Sequence, residues 1–281
     1  MSPAEGILVG YDGSRASERA LSWAAREACG RAERLTVCHV WTTGEPGAED
    51  AGTLARRRGS DILARGVATA QNAMGTGPVA PLLAEGQAAA ELCALAGRAD
   101  MVVVGACGAG SQQGGGSVPG LLLGSVSAEV AAYAPGPVIV ERGHWRAAGG
   151  YRPGHVVAGS DGSPDSQAAL RFAAATAAHL GVSLQVVCAL ADSPACLGGE
   201  AQLREDVGDL LTRLGKEFPG VTIMCRFASG APLRALLEEA QEAQLAVVGR
   251  RGLGGVRGMR LGSVGQGVLN HATCPVAVVS Q

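Results

Sequence analysis

The sequence predicts two tandem α/β domains, each built on a doubly wound parallel sheet of five strands. Three observations lead to this prediction: short apolar segments of strand length, amphipathic segments between them, and a repeat of the whole pattern. Apolar strands that alternate with helices are typical of parallel sheets covered on both faces. The 281 residues are enough for two domains that each bury a core.

The repeat is clearest at the two ends of each copy. Residues 10–25 (GYDGSRASERALSWAA) overlay 159–174 (GSDGSPDSQAALRFAA) with nine identities in sixteen positions. Residues 123–140 overlay 261–278, again with nine identities. The offset between the copies falls from 149 to 138 residues, so the first copy is the longer one. We therefore expect a first domain at 1–142, a second at 153–281 and a linker at 143–152.

The second copy shows the elements most plainly. An apolar strand ends at Asp161, and Ser163 then caps a helix with Pro164 at its first position and Asp165 in its first turn, all favourable at a helix start. Later helices show leucines at helical spacing, and the last begins at Ser263. The predicted strands span 155–160, 183–190, 221–228, 245–249 and 275–280.

Composition limits the classes of function. A net charge of −2 provides no basic surface for nucleic acid, and no segment reaches the roughly 18 apolar residues of a membrane span. The N-terminus lacks a secretory pattern, and the eight cysteines are scattered without a Cys-x-x-Cys pair. Reduced thiols in the core are favoured, with a redox role for Cys107 as the minor alternative. The sequence thus predicts a cytoplasmic protein without nucleic-acid or membrane partners.

A ligand is expected outside the carboxyl ends of the strands, where the strand order reverses. In both copies an Asp-Gly-Ser turn follows strand one and a glycine-rich loop follows strand four. In the second copy that loop ends in Gly262-Ser263 at a helix N-terminus, whose free N–H groups favour phosphate. Arginines in the same segment can pair with phosphate oxygens: Arg250, Arg251, Arg257 and Arg260. The alternative is a flexible connection with solvated arginines.

Better-known phosphate and hydrolase motifs are absent from the sequence. The single lysine, Lys216, precedes Glu217, so there is no P-loop. No G-x-G-x-x-G follows a strand, and AGSDG has Ala158 in place of the first glycine of G-x-S-x-G. The five histidines share no metal-ligand spacing.

The spacing that is present is G-x2-G-x9-G-S, from Gly249 to Ser263. Together with the Asp-Gly-Ser start and the GSV…PVxVV finish, it resembles the universal stress protein family over nearly the whole chain, as two tandem copies. The resemblance implies an adenine nucleotide alpha hydrolase-like sheet of order 3-2-1-4-5 that binds ATP, ADP or AMP, with or without Mg. It also implies regulators without strong catalysis, whose last strands pair. We therefore expect an intramolecular pseudo-dimer of the two halves and a homodimer of chains.

The resemblance places one nucleotide site in each copy. Asp161 is expected near the base and ribose or a metal, and Leu190 beside the adenine, while glycines wrap the ribose and phosphates. The second site is expected to comprise Asp161, Leu190, Gly249, Arg251, Gly252, Gly262, Ser263 and Val264. The first is expected to comprise Asp12, Val40, Gly105, Gly108, Gly124, Ser125 and Val126.

The first copy departs from the family pattern. Fifteen residues rather than nine separate Gly108 from Gly124, and this loop carries no charged residue. Ala106 and Cys107 stand where the other copy has two arginines. Because charge-assisted hydrogen bonds are each worth about 1.5–3 kcal/mol, we expect the second site to bind nucleotide more tightly.

Three classes of function remain open from the sequence. The first is a regulatory protein that responds to bound ATP. The second is an enzyme that hydrolyses ATP or transfers phosphate, against which stands the lack of a clear general base beside the loop. The third is an interaction module with one or both sites degenerate. Flavin binding is a minor alternative.

Overall fold

The computed structural model describes residues 6–43, 51–107, 123–142, 154–190, 197–254 and 260–281. The chain divides into two compact units, Met1–Gly143 and His144–Gln281. The predicted linker at 143–152 lies outside the described residues. Each unit contains five strands and four helices among the described residues, in the alternating order that the sequence predicts.

The first unit begins with a buried apolar strand, β1, and ends with another, β5. Its strands are β1 (Ile7–Gly10), β2 (Leu35–Trp41), β3 (Val79–Glu85), β4 (Met101–Gly105) and β5 (Val138–Glu141). Its helices are α1 (Arg15–Arg31), α2 (Ala51–Met74), α3 (Ala88–Ala96) and α4 (Ser125–Tyr133).

The sheet of the first unit has the order β3-β2-β1-β4-β5, and the described pairings between these strands are all parallel. Ile7 of β1 pairs with Leu35 of β2 on one side and with Met101 of β4 on the other. The chain therefore leaves β1 in one direction to build β2 and β3 and in the other to build β4 and β5. The point of reversal lies between β1 and β4.

The second unit repeats this arrangement. Its strands are β6 (Val156–Ser160), β7 (Leu184–Leu190), β8 (Ile223–Ser229), β9 (Leu245–Gly249) and β10 (Val276–Val279). Its helices are α5 (Pro164–Leu180), α6 (Leu197–Glu217), α7 (Pro232–Ala240) and α8 (Ser263–His271). The parallel order is β8-β7-β6-β9-β10.

Each unit buries the core that the strand pattern requires. Ile7, Leu35 and Ile139 are fully buried in the first unit, and Leu170 and Leu245 in the second. At about 25 cal/mol per Å² of buried apolar surface, such side chains are the main source of stability. The predicted fold class, two tandem doubly wound five-stranded parallel sheets, is confirmed. Within the described residues no helix is both long and apolar enough to cross a membrane.

Candidate functional site

The Asp-Gly-Ser turns after β1 and β6 have the same geometry. Ser163 donates its backbone N–H to Asp161 Oδ1 at 3.0 Å, and its own Oγ accepts the N–H of Ser166 at 3.2 Å, which caps α5. In the first unit, Ser14 N–H lies 3.0 Å from Asp12 Oδ1 and Ser14 Oγ caps α1. Each turn thus fixes an aspartate at the carboxyl edge of the sheet, beside the point of strand reversal.

The central glycines of these turns have left-handed backbones. Gly13 has a φ of 77° and Gly162 a φ of 82°, a conformation that side chains with a Cβ rarely adopt. The glycine in each turn is therefore required by the backbone and is not evidence of a ligand.

The loop after β9 folds back onto Asp161. Leu253 donates its backbone N–H to Asp161 Oδ2 at 2.7 Å, and Ser163 Oγ donates to the carbonyl of Arg251 at 3.2 Å. A Cβ on Gly252 would overlap Asp161 Oδ2, so only glycine fits at this position. The described start of the glycine loop and the first aspartate of the unit therefore form one site.

Asp165, in the first turn of α5, is a second carboxylate that contacts this loop. From the sequence it was predicted only as a residue that favours the helix start. Its Oδ2 accepts the N–H of Arg251 at 3.0 Å, and its Oδ1 accepts the N–H of Gln281 at 3.1 Å. Both partners are more than 80 residues away in sequence, so no local pattern could reveal them. The offset of 149 places Ala16 at the corresponding position of the first unit.

The far end of the loop presents a helix N-terminus. Gly262 donates its N–H to the carbonyl of Arg250 at 2.8 Å, which closes the base of the loop. Gly262 is the N-cap of α8 and has no side chain to cap this helix, in contrast to Ser163 on α5. Within the part of the loop that the structure describes, no side chain bonds to the N–H groups of the first turn, so they can donate to an anion. Ser263 is exposed, and Val264 is half-buried.

The arginines of the loop differ from one another in their placement. Arg251 and Arg260 are exposed at its two described ends. Arg250, one of the arginines expected to pair with phosphate, donates from its Nη2 to the Ser280 hydroxyl. Arg257 lies outside the described residues.

The glycines closest to the strands are required by packing. A Cβ on Gly249 would come within 2.9 Å of the Asp165 carbonyl carbon, and one on Gly105 within 2.6 Å of the carbonyl carbon of Ala16. Gly105 lets α1 approach the end of β4, and Gly249 lets α5 approach the end of β9. Close packing of helix on strand therefore accounts for both glycines without a ligand.

Val40 and Leu190, each predicted at the end of strand two of its copy as part of a nucleotide site, are not at equivalent positions in the two units. Ile7 pairs with Leu35 in the first unit, and Val156 pairs with Leu184 in the second. Counting along β2 and β7 from these pairs makes Ala189 the counterpart of Val40. Leu190, which was expected beside the adenine, is the counterpart of Trp41.

The first unit preserves the base of the loop. Gly124 donates its N–H to the carbonyl of Ala106 at 2.6 Å and is the N-cap of α4, which no side chain caps. Ser125 and Val126 begin this helix and are exposed, Val126 to 36%. Gly108 lies outside the described residues.

A cation that the sequence analysis missed reaches the first turn from α2. Arg65 Nη2 lies 3.6 Å from the position that a Cβ on Gly13 would occupy. Arg65 also lowers the pKa of Tyr11, which is nevertheless raised overall, chiefly by burial and by Glu18. In the second unit the equivalent position on Gly162 faces Leu203 Cδ1 at 3.1 Å. The first site therefore has a cation beside its aspartate turn, where the second has an aliphatic side chain.

The described residues contain no cluster of three or more His, Cys, Asp or Glu side chains that could hold a metal. Both oxygens of Asp161 already accept backbone N–H groups. A divalent cation at this edge would therefore need ligands from the anion that it accompanies.

Fold and site together define a class: a doubly wound α/β protein with an aspartate turn and a glycine loop at the switch point. The sequence matches the universal stress protein family over residues 4–142 and 153–280. The chain belongs to this family, in a tandem two-domain form.

Individual relatives agree with that assignment. A universal stress protein of Mycolicibacterium smegmatis is 36% identical over 98% of this chain and 96% of its own length. One from Mycobacterium tuberculosis is 33% identical over 98% of this chain and 97% of its own length. The crystal structure of a universal stress protein from Archaeoglobus fulgidus aligns with a TM-score of 0.74, at 18% identity over 99% of this chain and 97% of that one. At that identity the last comparison bears on the fold alone.

Proposed function

We propose that this chain is a cytoplasmic regulatory protein that binds an adenine nucleotide, with ATP as the principal ligand and ADP or AMP as alternatives. The observation that carries the proposal is the hydrogen bond from Leu253 N–H to Asp161 Oδ2. It brings the glycine loop to the aspartate turn and leaves the uncapped start of α8 at the same edge. Family membership supports the same ligand.

The polarity of the site fits the two ends of a nucleotide. Asp161 is a hydrogen-bond acceptor on the β6 side, where ribose hydroxyls can donate to it. The N–H groups at Ser263 and Val264 are donors on the β9 side, where phosphate oxygens accept. Arg251 and Arg260 add positive charge at the two described ends of the loop that leads into this helix. The nucleotide would therefore lie with its sugar against Asp161 and its phosphates on α8.

We propose that Mg, when present, is bound through the phosphates. Each oxygen of Asp161 already accepts one backbone N–H, and the described residues offer no cluster of three or more His, Cys, Asp or Glu side chains around it that could hold a metal. Mg²⁺ commonly keeps several waters and binds through substrate phosphates with one or two carboxylates. Residues 249–252 and 262–264 would then bind the nucleotide with or without the cation.

The two sites are proposed to differ in affinity. The second has Arg251 and Arg260 at its loop, and the loop after β4 carries no charge. Arg65 partly offsets this difference in the first site, because its guanidinium lies beside Gly13. Arg65 is exposed, so its contribution is about 1 kcal/mol or less. The second site therefore remains the tighter one.

We propose a regulatory rather than a catalytic role. Asp161 and Asp165 both contact the glycine loop. Each accepts a backbone N–H group of the loop, and together they hold the loop in place. A general base has to reach the proton of an attacking water, and a carboxylate engaged by two amides is a poor base. The alternative is an enzyme that hydrolyses ATP or transfers its phosphate. Incubation with ATP and Mg²⁺ over hours distinguishes the two roles, because an enzyme would turn over ATP many times.

Assembly of the two halves through their last strands is part of the proposal. β5 and β10 are apolar and lie last in the sheet order of their units. An apolar strand at the edge of a sheet presents unpaired backbone groups that favour pairing. We propose an intramolecular pseudo-dimer through these strands, and a homodimer of chains in solution.

Small-molecule mass spectrometry of the purified protein tests the ligand directly. Denaturing the protein after extensive washing should release an adenine nucleotide, and adding ATP to the stripped protein should raise its melting temperature. The Gly262→Val variant should bind less nucleotide and serves as the comparison. It should still fold, because Gly262 has a φ of −67° that valine tolerates. Release of a flavin, or equal thermal shifts in both proteins, would contradict the proposal.

A further inference from the structure

Two cysteines lie together on neighbouring strands of the second unit, outside the residues assigned to the nucleotide. The register of β7 and β8 pairs Val186 with Cys225 and Cys188 with Phe227. Because side chains alternate along a strand, both cysteines face the same side of the sheet. Their thiols lie close enough to share a hydrogen bond.

The surroundings of the two sulfur atoms are unequal. Cys188 is fully buried, whereas Cys225 is partly exposed. The hydrogen bond with Cys225, together with burial, raises the pKa of Cys188. The same hydrogen bond lowers the pKa of Cys225, burial opposes this, and the Arg204 guanidinium lowers it further. Cys188 therefore keeps its proton and donates it towards the Cys225 sulfur.

Arg204 is held in place above this cluster by an aromatic ring. Its Cζ lies 4.1 Å from the centroid of the Phe227 ring, a cation–π contact. Phe227 is two residues beyond Cys225 on β8 and therefore faces the same side. The contact keeps a positive charge near the Cys225 sulfur, where it favours the thiolate.

The combination of a hydrogen-bond donor, a fixed cation and partial exposure is the environment in which thiols react readily. We propose that Cys225 is a modification site for hydroperoxides, with Cys188 as the positioning residue that donates a hydrogen bond to the Cys225 thiolate. This inference does not depend on nucleotide binding.

The reaction needs one peroxide molecule for each thiolate. The Cys225 sulfur attacks one peroxide oxygen, an S–O bond forms and the O–O bond breaks, so that sulfur loses two electrons and the peroxide gains them. The departing hydroxide or alkoxide takes a proton from water. The product is a sulfenic acid at Cys225.

A disulfide between the two cysteines is disfavoured by the register. Cys188 and Cys225 are offset by two residues on parallel strands, so about 4.8 Å between the strands and about 6.6 Å along them place their Cα atoms about 8 Å apart. Disulfides span about 4.4–6.8 Å between Cα atoms. We therefore expect the sulfenic acid, and not a Cys188–Cys225 disulfide, to be the first stable product.

Peptide mass spectrometry after brief treatment with hydrogen peroxide and dimedone, a sulfenic-acid trap, tests the proposal in the folded full-length protein at neutral pH. Cys29, which is exposed, is the internal reference. Because the hydrogen-bond donor and the cation beside Cys225 favour its reactive thiolate form, dimedone should label Cys225 several-fold faster than Cys29. The Cys188→Ala variant, which removes the hydrogen-bond donor, and the Arg204→Met variant should lower the rate at Cys225 and leave that at Cys29 unchanged.

Arg213→Met is the matched control, because Arg213 is another exposed arginine of α6. It should leave the rate at Cys225 unchanged. Circular dichroism should show that all three variants are folded. Labelling of Cys225 no faster than Cys29, equal rates in wild type and Arg204→Met, or a Cys188–Cys225 disulfide as the first product would overturn the proposal.

Discussion

Leu253 donates its backbone N–H to Asp161 Oδ2 at 2.7 Å, across 92 residues of sequence. This hydrogen bond joins the first turn of the second unit to the loop that follows its fourth strand. Asp161 therefore does two things: it shapes its own turn through Ser163 and it holds the glycine loop over the sheet edge. Substitutions at either end of this hydrogen bond should therefore change both the position of the loop and the affinity for the ligand.

Removing the carboxylate of Asp161 should weaken ATP binding at the second site. Asp161→Ala loses the acceptor for Leu253 and for Ser163. At about 1.5 kcal/mol for a charge-assisted hydrogen bond, we expect at least a tenfold loss of affinity. Isothermal titration calorimetry with ATP measures it. Asp12→Ala is the control in the other unit and should leave the tighter site intact.

A methyl group at position 252 should open the loop. The Cβ of Gly252→Ala would overlap Asp161 Oδ2, so the loop has to move away from the aspartate. Gly254→Ala is a matched control, since among the described residues no atom beyond its chain neighbours lies within 4 Å of the Cβ it would add. We expect faster amide hydrogen exchange at Leu253 and weaker ATP binding in the first variant only. Equal behaviour of the two variants would show that the contact has no role.

Arg65 should contribute to the first site alone. Arg65→Ala removes the guanidinium beside Gly13, and for an exposed cation we expect a two- to fivefold loss of affinity, equivalent to about 1 kcal/mol or less. The measurement is ATP titration in a Gly262→Val background, where the first site is isolated. Arg58→Ala, another exposed arginine of α2, should have no effect.

Alkaline stability should depend on Cys38. Burial, and to a lesser extent Glu91, raises the pKa of this thiol to about 12 from an ordinary value of 9.0. Between these values the unfolded chain loses a proton that the folded chain keeps, so the free energy of unfolding falls as pH rises, by up to about 1.4 kcal/mol per pH unit from this group. Cys38→Ala should show a shallower fall. Urea titrations from pH 8 to about pH 11 compare the two slopes, and equal slopes would contradict the assignment.

Much of the fold could be predicted because its signals are local. Ser163 was predicted as an N-cap from its neighbours alone, and it caps α5. The all-apolar segment 245–249 was predicted as a strand and forms β9. Such features depend on residues a few positions apart, where helix and strand periodicity is informative.

The tertiary details of the site could not be predicted in the same way. Asp165 bonds to Arg251 and Gln281 from 86 and 116 residues away. Arg65 reaches Gly13 from helix α2, and Arg250 donates to Ser280, 30 residues away in sequence. A composition that is favourable for phosphate does not determine where each guanidinium points. Only the packed chain shows this.

The most direct test of the central claim is calorimetric titration of ATP into wild-type protein and the Gly262→Val variant. The claim is that the uncapped start of α8, held beside Asp161, binds the phosphates. It predicts saturable heat in wild type and loss of the tighter site in Gly262→Val, with Gly124→Val retaining that site. The absence of heat at millimolar ATP in wild type, or loss of the tighter site in Gly124→Val alone, would contradict it.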